Sequence, residues 1–448
     1  EPHGVIVQFG GQTPLNLARG LKDHGAPLVG TSVESIDTAE DRDLFSKLIT
    51  KIGVDQPPNG LAATAEQALA AAATIGYPVL VRPSFVLGGR AMEIVYDKTT
   101  LADYLERNPH FSKESPLLVD KFLDAAIEVD VDAISDGNEV IIGGIMEHIE
   151  EAGVHSGDSS CSLPPYTLSA GIIQNITEKT RTLAKALNVV GLMNVQWAVR
   201  GAKVFIIEAN PRASRTVPFV SKAIGQPLAK MAARVMLGET LEDVGVIERL
   251  EPPFFSVKAP VFPFGKFQGV DTVLGPEMKS TGEVMGIDAR FGCAFAKAMV
   301  GAGNTLPSDG KVFVSVRDED KRLILPLVDR LAGLGYQIVA TAGTARALQN
   351  AGITVERVFK IHEGRPHVLD LIVNRECRLI INTPSSRRER SDDRLIRSSA
   401  ASHCIPCITT LAAASATIQG LEMWMKQPLQ VTPVQDHHQA FAAETQSS

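Results

Sequence analysis

The sequence predicts a multidomain protein of mixed α/β and α+β class. Two β-rich runs, 191–200 and 203–210, are joined by the turn Gly201-Ala202, as in an antiparallel hairpin. Strand-like and helical segments alternate from 311 to 420, which is typical of a doubly wound parallel sheet. A chain of 448 residues has room for about two to four domains.

Composition excludes several classes of protein. With a net charge of −7, 44% hydrophobic and 21% charged residues, the chain has an ordinary globular balance. No basic block carries interleaved aromatic residues, so we expect no nucleic-acid partner. The short basic cluster 387–390 is followed by acidic residues and favours a solvated loop. No apolar run reaches the length of a membrane span, and the N-terminus does not resemble a signal peptide.

Cysteine usage favours a reducing cytosol, because the five cysteines are scattered and suggest no disulfide framework. His403, Cys404 and Cys407 could bind zinc, but structural zinc needs four ligands and no second pair has suitable spacing. The chain begins at Glu1 rather than Met, at the edge of a predicted strand. We therefore expect it to be cut from a longer polypeptide.

Residues 1–40 read as part of a small α/β domain with parallel strands. A strand at 5–9 leads through Gly10-Gly11 into a helix with Pro14 in its first turn, and a second strand follows at 27–30. The glycine turn lacks the Lys of a P-loop and the spacing of a dinucleotide fingerprint. It is structural, or the edge of a neighbouring site.

Residues 77–96 form a strand, a glycine-bearing loop and a second strand. Such a loop can fold over nucleotide phosphates, since backbone N–H groups approach closely where no Cβ intervenes. Arg82 ends the first strand, and Gly88-Gly89 lie in the loop. For the glycines alone, a plain hairpin turn is the better interpretation. Arg42, at the start of an earlier helix, is a weak phosphate candidate.

Residues 117–149 read as an antiparallel run followed by a polar loop. Glu128, Asp130 and Asp132 share one strand face, either as a solvated surface or with Glu128 on a ribose hydroxyl. In the loop, His155 either has no special role or lies beside nucleotide phosphates.

The hairpin carries the chemistry on which the functional prediction depends. Gln196 lies on its first strand, and Glu208 and Asn210 lie two residues apart at the end of the second, so the three polar groups can converge. Oxygen ligands of this kind suit a hard cation such as Mg²⁺. Arg212 and Arg215 follow, with guanidinium groups that could bind an oxyanion. Phosphoryl transfer needs this combination, although an edge hairpin with a solvated polar end remains the alternative.

The last third of the chain divides into three parts. Residues 251–310, punctuated by glycine and proline, read as a connecting segment that crosses the surface of the first unit. Residues 311–420 form the parallel α/β unit, and 421–448 read as a disordered tail. Several polar residues fall at strand ends or helix starts of the parallel unit, where a phosphate could bind, although helix capping explains some of them equally well. They are Ser315, Lys321, Thr341, Thr344, Lys360 and Asn382.

From Gly4 to about Gly420 the chain resembles the second synthetase half of the large subunit of carbamoyl phosphate synthetase. Six motifs occur in order and carry this resemblance. They are Arg82-Pro-Ser-Phe-Val-Leu-Gly-Gly-Arg90, Glu128-Val-Asp-Val-Asp132, Gly144-Ile-Met-Glu-His148, Gly153-Val-His-Ser-Gly-Asp158, Asn194-Val-Gln196 and Glu208-Ala-Asn-Pro-Arg212.

The resemblance implies a partial pre-ATP-grasp subdomain at 1–40, an ATP-grasp fold at 41–250 and a subunit-association segment at 251–310. A methylglyoxal-synthase-like allosteric domain at 311–420 would follow. The implied reaction is phosphorylation of carbamate by ATP, which gives carbamoyl phosphate for pyrimidine and arginine synthesis in the cytoplasm. Its cofactors would be ATP with Mg²⁺ or Mn²⁺, and possibly K⁺. The implied partners are the N-terminal synthetase half, a glutaminase small subunit and a nucleotide effector, with a homo-oligomer possible.

The resemblance also implies a role for each matching residue. Arg82 would bind phosphate, the backbones of Lys121 and Leu123 would bind adenine, and Glu128 would bind the ribose. The nucleotide would be lined by Gly153, Val154, His155 and Ser156. The metal would be held by Gln196, Glu208 and Asn210, and carbamate and the migrating phosphoryl group by Arg212 and Arg215. In the last domain the effector phosphate would bind Lys321, Thr341, Thr344 and Lys360, with Ser315 and Asn382 nearby.

Two departures from the family pattern leave the effectors open. Ala259 stands where ornithine-activated members have an acidic residue, and Pro384 where some bacterial members have a second Thr. Two rival readings also remain. One is another ATP-grasp carboxylate–amine ligase, and the other is a non-catalytic fragment that binds nucleotide or effector.

Overall fold

A computed structural model describes residues 3–83, 91–112, 115–266, 269–304, 306–383 and 391–446. The predicted glycine loop with Gly88-Gly89, the basic cluster 387–390 and Pro384 lie outside these residues. No helix in the described ranges is long and apolar enough to cross a membrane.

The first residues contain less strand than predicted. Helices α1 and α2 are present, but the strand expected at 5–9 is only an isolated parallel bridge between Val5 and Leu28. The prediction was wrong beyond that bridge because Gln8 turns toward residues 211–213, with which it forms hydrogen bonds. The helices span α1 Gln12–Asp23 and α2 Val33–Glu40.

A four-stranded antiparallel sheet with the order β1-β4-β2-β3 follows. Its core includes Val79, Val81 and Tyr104, which are buried against α4 and α5. Thr64 caps α4, since its side chain accepts a hydrogen bond from the Gln67 N–H. The elements of this unit are α3 Arg42–Lys51, β1 Asn59–Ala62, α4 Ala65–Ile75, β2 Val79–Pro83, β3 Glu93–Val95, α5 Lys98–Arg107 and β4 Leu117–Lys121.

A seven-stranded antiparallel sheet forms the centre of the molecule, with the order β11-β10-β7-β6-β5-β8-β9. The predicted hairpin is its β8–β9 edge, and Trp197 of β8 is fully buried. The elements are β5 Ile127–Asp136, β6 Val140–Glu151, β7 Cys161–Leu163, α6 Ala170–Ala186, β8 Val190–Arg200, β9 Lys203–Asn210, α7 Val217–Ile224, α8 Leu228–Met236 and α9 Leu241–Val244.

The segment 251–310 does more than connect two units. Its strands β10 Phe255–Val261 and β11 Gly282–Asp288 extend the seven-stranded sheet, with β10 pairing to β7. Its helix α10 Phe291–Gly301 packs against α15 of the last unit. The segment therefore belongs structurally to the central sheet and also touches the C-terminal unit.

The C-terminal unit contains a five-stranded parallel sheet with the order β14-β13-β12-β15-β16. Helices alternate with the strands, which confirms the predicted doubly wound arrangement. The elements are β12 Lys311–Ser315, α11 Lys321–Gly333, β13 Gln337–Thr341, α12 Ala342–Asn350, β14 Glu356–Val358, α13 Val368–Val373, β15 Cys377–Asn382, α14 Ser391–Ser402, β16 Cys407–Ile408 and α15 Leu411–Lys426.

The predicted disorder after residue 420 was wrong for the described part of the tail. Helix α15 continues to Lys426, and a further helix, α16, spans Val434–Gln446. Phe441 of α16 packs edge-on against Phe254, with ring centroids 5.9 Å apart, and the Arg249 guanidinium lies 4.6 Å from the Phe441 centroid. The apolar and cationic partners for this polar helix lie some 190 residues earlier in the sequence.

Candidate functional site

Residues from the four-stranded and seven-stranded sheets meet around the candidate site. Gly153, just after β6, lies against Phe122, just after β4, so closely that a Cβ at position 153 would be 2.8 Å from Phe122 Cε2. Its φ of +100° also favours glycine. A larger residue at 153 would therefore displace the Phe122 side chain.

The hairpin brings its predicted polar groups together. Gln196 pairs directly with Glu208 across β8 and β9, next to a β-bulge between Gln196 and Trp197. Asn210 Nδ2 donates a hydrogen bond to Glu208 Oε1 at 3.0 Å. The backbone register therefore places Gln196 opposite Glu208, and a side-chain hydrogen bond joins Glu208 to Asn210.

The two arginines after β9 lie on one loop but differ in burial. Arg212 Nη2 donates to Asn210 Oδ1 at 3.2 Å, while its Nε is buried and has no hydrogen-bond partner among the described residues. Arg215 is exposed and contacts Met278 Sδ. A buried guanidinium N–H without an acceptor has the chemistry to donate to an oxyanion.

A second pair of guanidinium groups surrounds one carboxylate near β4. Arg42 Nη2 donates to both oxygens of Asp120 at 2.8 Å, and Arg82 Nε lies 3.6 Å from Asp120 Oδ2. Arg42 Nη1 and Arg82 Nε are buried without a hydrogen-bond partner among the described residues. Asp120 alone cannot accept from all the N–H groups of Arg42 and Arg82, and the N–H donors left without an acceptor suit phosphate oxygens.

Glu128 faces the same region. Its pKa is raised to about 7, chiefly by burial. Nearby Asp130 and Glu208 contribute to the rise, and the nearby His148 and a hydrogen bond with the Gly153 backbone oppose it. Because Glu128 and Glu208 influence each other electrostatically, the predicted ribose and metal residues share one electrostatic environment.

The strand face that carries Glu128, Asp130 and Asp132 is buried, which excludes the interpretation that these carboxylates form a solvated surface. Asp130 and Asp132 are each 1% exposed. Asp130 Oδ2 lies 2.9 Å from His148 Nε2, and this contact helps to lower the pKa of Asp130 and to raise that of His148, against the effect of burial on each group. Burial raises the pKa of Asp132 to about 6, although three side-chain hydrogen bonds favour its charged form.

The residues expected at adenine lie on the strand that leaves the small sheet. Lys121 Nζ donates to the carbonyl oxygens of Gly76 and Tyr77, each at 2.9 Å, and its backbone N–H donates to Pro58. Leu123 is buried with Ala126 and Ala198. The side chain of Lys121 is therefore directed to the C-terminal end of helix α4. Its backbone N–H is also engaged, and a backbone role at adenine stays a prediction.

The loop 153–158 is held by the segment 251–310. The backbone N–H of His155 donates to Gly275 O at 2.8 Å, and Lys258 Nζ donates to Ser156 O at 2.9 Å. Burial lowers the pKa of His155, and the nearby Arg215 lowers it further. Neutral imidazole is thereby favoured, and Arg215 is placed on the same side of the site as this loop.

Asp158 fixes the end of that loop. It is 0% exposed, and its two carboxylate oxygens accept the backbone N–H groups of Lys279 and Ser280 at 2.7 and 2.8 Å. Both carboxylate oxygens of Asp158 are therefore engaged within the chain.

Family models match three parts of the chain. Residues 41–244 match the ATP binding domain of the carbamoyl-phosphate synthase L chain, 1–38 its preATP-grasp domain, and 323–409 an MGS-like domain. The carbamoyl phosphate synthase large chain, C-terminal section, of Aquifex aeolicus is 53% identical over 438 residues, covering 94% of this chain and 82% of that protein. The chain belongs to the carbamoyl phosphate synthase large-chain family.

Other relatives agree with this family and define the extent of the match. The carbamoyl phosphate synthase large chain of Archaeoglobus fulgidus is 56% identical over 98% of this chain, which spans 41% of that protein. Biotin carboxylase from Campylobacter jejuni, a solved structure, aligns with a TM-score of 0.53 at 17% identity over 66% of this chain and 74% of its own. The resemblance inferred from the sequence is confirmed, and so is the ATP-grasp fold.

The predicted effector residues lie at the carboxyl edge of the parallel sheet. Ser315, Thr341 and Asn382 end the adjacent strands β12, β13 and β15, and Lys360 follows β14 by two residues. Asn382 Nδ2 donates to Ser315 O at 3.3 Å.

Lys321 and Thr344 belong to the same edge. Lys321 Nζ would be 3.1 Å from a Cβ on Gly343, next to Thr344, and it forms an ion pair with Asp318 at 2.6 Å. The hydroxyl of Thr344 accepts the Val316 N–H at 3.4 Å, so this hydroxyl also has a structural role. An amino group beside a helix N-terminus suits a phosphate.

Sequence reasoning missed a buried arginine that links the edge of the parallel sheet to the segment 251–310. Arg397 is 0% exposed and its Nη1 donates to Asn382 Oδ1 at 2.9 Å. Its Nε and Nη2 donate to the two oxygens of Asp271 at 2.6 and 2.7 Å. Nothing in the local pattern around position 397 marks it, because its partner lies 126 residues earlier.

The zinc hypothesis gains no support in the described part of the chain. No group of three His, Cys, Asp or Glu side chains there could hold a metal ion, and Cys404 and Cys407 are free. The hairpin site differs in kind, because Gln196 and Asn210 would offer amide oxygens.

Proposed function

We propose that this chain transfers the γ-phosphoryl group of ATP to carbamate, giving carbamoyl phosphate and ADP. The observation that carries the proposal is the hydrogen-bonded series Glu208, Asn210 and Arg212, beside Gln196 and within an ATP-grasp fold. It joins acceptors for a cation to donors for an anion, as phosphoryl transfer requires.

Each part of the cleft has a role in this proposal. Lys121 and Leu123 bind adenine through their backbones, Glu128 accepts a ribose hydroxyl, and 153–156 lines the nucleotide. Arg82 binds the phosphates; its Nε lies 3.6 Å from Asp120 Oδ2 but forms no hydrogen bond among the described residues. Arg42 is added because it shares Asp120 with Arg82 and also has an unpartnered donor.

A divalent cation fits the hairpin. Glu208 offers a carboxylate, and Gln196 and Asn210 offer amide oxygens, a donor set that suits Mg²⁺ or Mn²⁺ rather than a soft metal. Bound there, the cation would neutralise charge on the phosphates. The Asn210 amide links Glu208 to Arg212, so Glu208 Oε1 and Asn210 Oδ1 are held by hydrogen bonds within the chain.

The chemical step needs positioning rather than proton abstraction. A carbamate oxygen is already anionic, so it attacks the γ-phosphorus directly. The new O–P bond forms as the bond to the β,γ-bridging oxygen breaks, and ADP leaves with that electron pair. Arg212 and Arg215 hold carbamate and balance the charge of the migrating group.

The wider assignment also belongs to this proposal. The chain would work with an N-terminal synthetase half that makes carbamate and a glutaminase subunit that supplies ammonia, in pyrimidine and arginine synthesis. A nucleotide effector would bind at the edge of the parallel sheet, and K⁺ would be a further cofactor. Free cysteines fit a reducing cytosol.

The test is the reverse partial reaction. The chain is incubated with carbamoyl phosphate, MgADP and K⁺, and ATP is measured. We expect ATP formation that falls at least about a hundredfold in Glu208→Ala, whereas Glu178→Ala, which changes an exposed glutamate on α6, keeps it. Folded protein that binds MgADP without forming ATP would favour the non-catalytic reading.

A further inference from the structure

We propose that Asp132 and Gln8 are positioning residues that clamp the loop 211–216 and so set the positions of Arg212 and Arg215. The inference rests on the proposed function, which gives the two guanidinium groups their role. The loop is irregular and lies between β9 and α7. It is gripped by one buried polar side chain from the central sheet and another from the first 40 residues.

Asp132 grips the second half of the loop. Its Oδ1 accepts hydrogen bonds from Asn194 Nδ2 at 2.9 Å and Ser214 Oγ at 2.8 Å, and its Oδ2 accepts one from Thr216 Oγ1 at 2.7 Å. Ser214 and Thr216 are the residues on either side of Arg215. A buried carboxylate with these three donors therefore fixes both neighbours of the exposed arginine.

Gln8 grips the first half. Its Nε2 donates to Pro211 O at 2.7 Å, and its backbone oxygen accepts the Ala213 N–H at 2.9 Å. Pro211 and Ala213 are the residues on either side of Arg212. Each arginine is thus bracketed by two clamped neighbours, one pair held by Gln8 and the other by Asp132.

The Gln8 side chain is itself held rigidly. Its Oε1 accepts the Thr31 N–H at 2.9 Å, and Thr31 Oγ1 forms hydrogen bonds with both the N–H and the C=O of Val190, where β8 begins. Gly30 makes room for this arrangement, since a Cβ there would be 2.1 Å from Gln8 Oε1 and its φ is +101°. The first 40 residues therefore contribute directly to the geometry of the loop.

This arrangement matters because arginine side chains are long and catalysis depends on their position. Ordering each backbone residue costs about 1–2 kcal/mol, and misplacing a group by about 1 Å can lower a rate on the order of a hundredfold. The loop 211–216 is not part of a sheet or a helix, so the hydrogen bonds with Gln8 and Asp132 hold it in place. Loosening either clamp should affect the substrate held by the arginines and leave nucleotide binding intact.

The kinetic test uses the full chain with Thr216→Val, which removes one hydrogen bond to Asp132 while keeping side-chain shape. In the carbamoyl phosphate and MgADP assay, we expect the KM for carbamoyl phosphate to rise about tenfold and the KM for MgADP to stay unchanged. Thr216→Ser should behave like the original chain because it keeps the hydroxyl. Thr182→Val, in an exposed turn of α6, is the matched control.

A second measurement does not depend on activity. Amide hydrogen exchange is followed in a peptide that covers 210–217, and faster exchange is expected in Thr216→Val and Gln8→Leu but not in Thr216→Ser or Thr182→Val. Unchanged exchange in both clamp variants would overturn the proposal, as would equal rises in the two KM values. If the original chain forms no ATP, the proposed reaction fails, and the exchange measurement still decides whether the clamps order the loop.

Discussion

The seven-stranded antiparallel sheet and the five-stranded parallel sheet place their polar groups differently. In the first, strand alternation puts Glu128, Asp130 and Asp132 on one buried face. In the second, β12 and β13 have buried apolar interiors, and candidate residues such as Ser315 and Thr341 lie at the strand ends. The candidate site therefore lies across a sheet face in one unit and along a sheet edge in the other.

The two regions also differ in where the partners of buried charges come from. Asp132 is satisfied by Asn194 on the neighbouring strand and by the loop after β9. Arg397 of the parallel unit is paired instead with Asp271, which belongs to the segment 251–310. The central unit therefore supplies the hydrogen-bond partners of its own buried Asp132, whereas the C-terminal unit takes the partner of its buried Arg397 from outside its sheet.

The largest predicted effect follows from that dependence. Asp271→Ala leaves the fully buried Arg397 without its carboxylate, and we expect the free energy of unfolding of the unit to fall by about 3–5 kcal/mol. Denaturant unfolding followed by circular dichroism measures it.

The matched control for this prediction is Glu376→Ala. It breaks an ion pair with Lys311 in the same sheet, where the Glu376 side chain is 44% exposed, and should cost less than about 1 kcal/mol. Equal losses in the two variants would mean that the C-terminal unit does not depend on Asp271.

Local patterns allowed the sequence to predict much of the central sheet. The Gly201-Ala202 turn sets the β8–β9 hairpin, and the spacing of Glu208 and Asn210 puts both on the side of Gln196. Even so, the bulge beside Trp197 could not be read from alternation, because an extra residue in a strand leaves no mark in the composition.

Distant contacts explain what the sequence did not predict. Gln8 reaches residues more than 200 positions away, and Asp271 reaches Arg397 across 126. The polar composition of helix α16 favoured a prediction of disorder, yet its Phe441 packs against the ring of Phe254 and the guanidinium of Arg249. Pairing of this kind depends on the tertiary fold, which local propensity does not contain.

A smaller effect tests the sheet-face site through pH. The pKa of Glu128 is raised to about 7 from its ordinary 4.5, mainly by burial, so it is partly protonated near neutral pH. A protonated carboxyl is a weaker acceptor for a ribose hydroxyl. MgADP affinity measured by calorimetry should therefore rise as pH increases through about 7, by roughly tenfold for a hydrogen bond to a charged group.

Glu128→Gln is the control for this pH effect, because an amide does not titrate and should remove that part of the dependence. His148, Asp130 and Glu208, which influence Glu128, remain in the variant. Stability should change in the opposite direction. A carboxyl with a raised pKa destabilises the fold as pH rises from about 4.5 to 7, since the unfolded chain ionises first. If MgADP affinity depended on pH in the same way in Glu128→Gln, Glu128 would not be part of the nucleotide site.

The smallest predicted effect concerns the sheet-edge site. Lys321→Met removes one partly exposed amino group beside the N-terminus of α12. With uridine monophosphate as the probe, we expect affinity to fall by roughly fivefold, in line with about 1 kcal/mol for a partly exposed charge. MgADP affinity should not change, because the nucleotide cleft lies in the other sheet. Arg346→Met, at an exposed position on the same helix, should alter neither affinity. If Lys321→Met also lowered MgADP affinity, the site at the edge of the parallel sheet and the site on the face of the seven-stranded sheet would not be independent. The two sheets would then not carry separate binding functions.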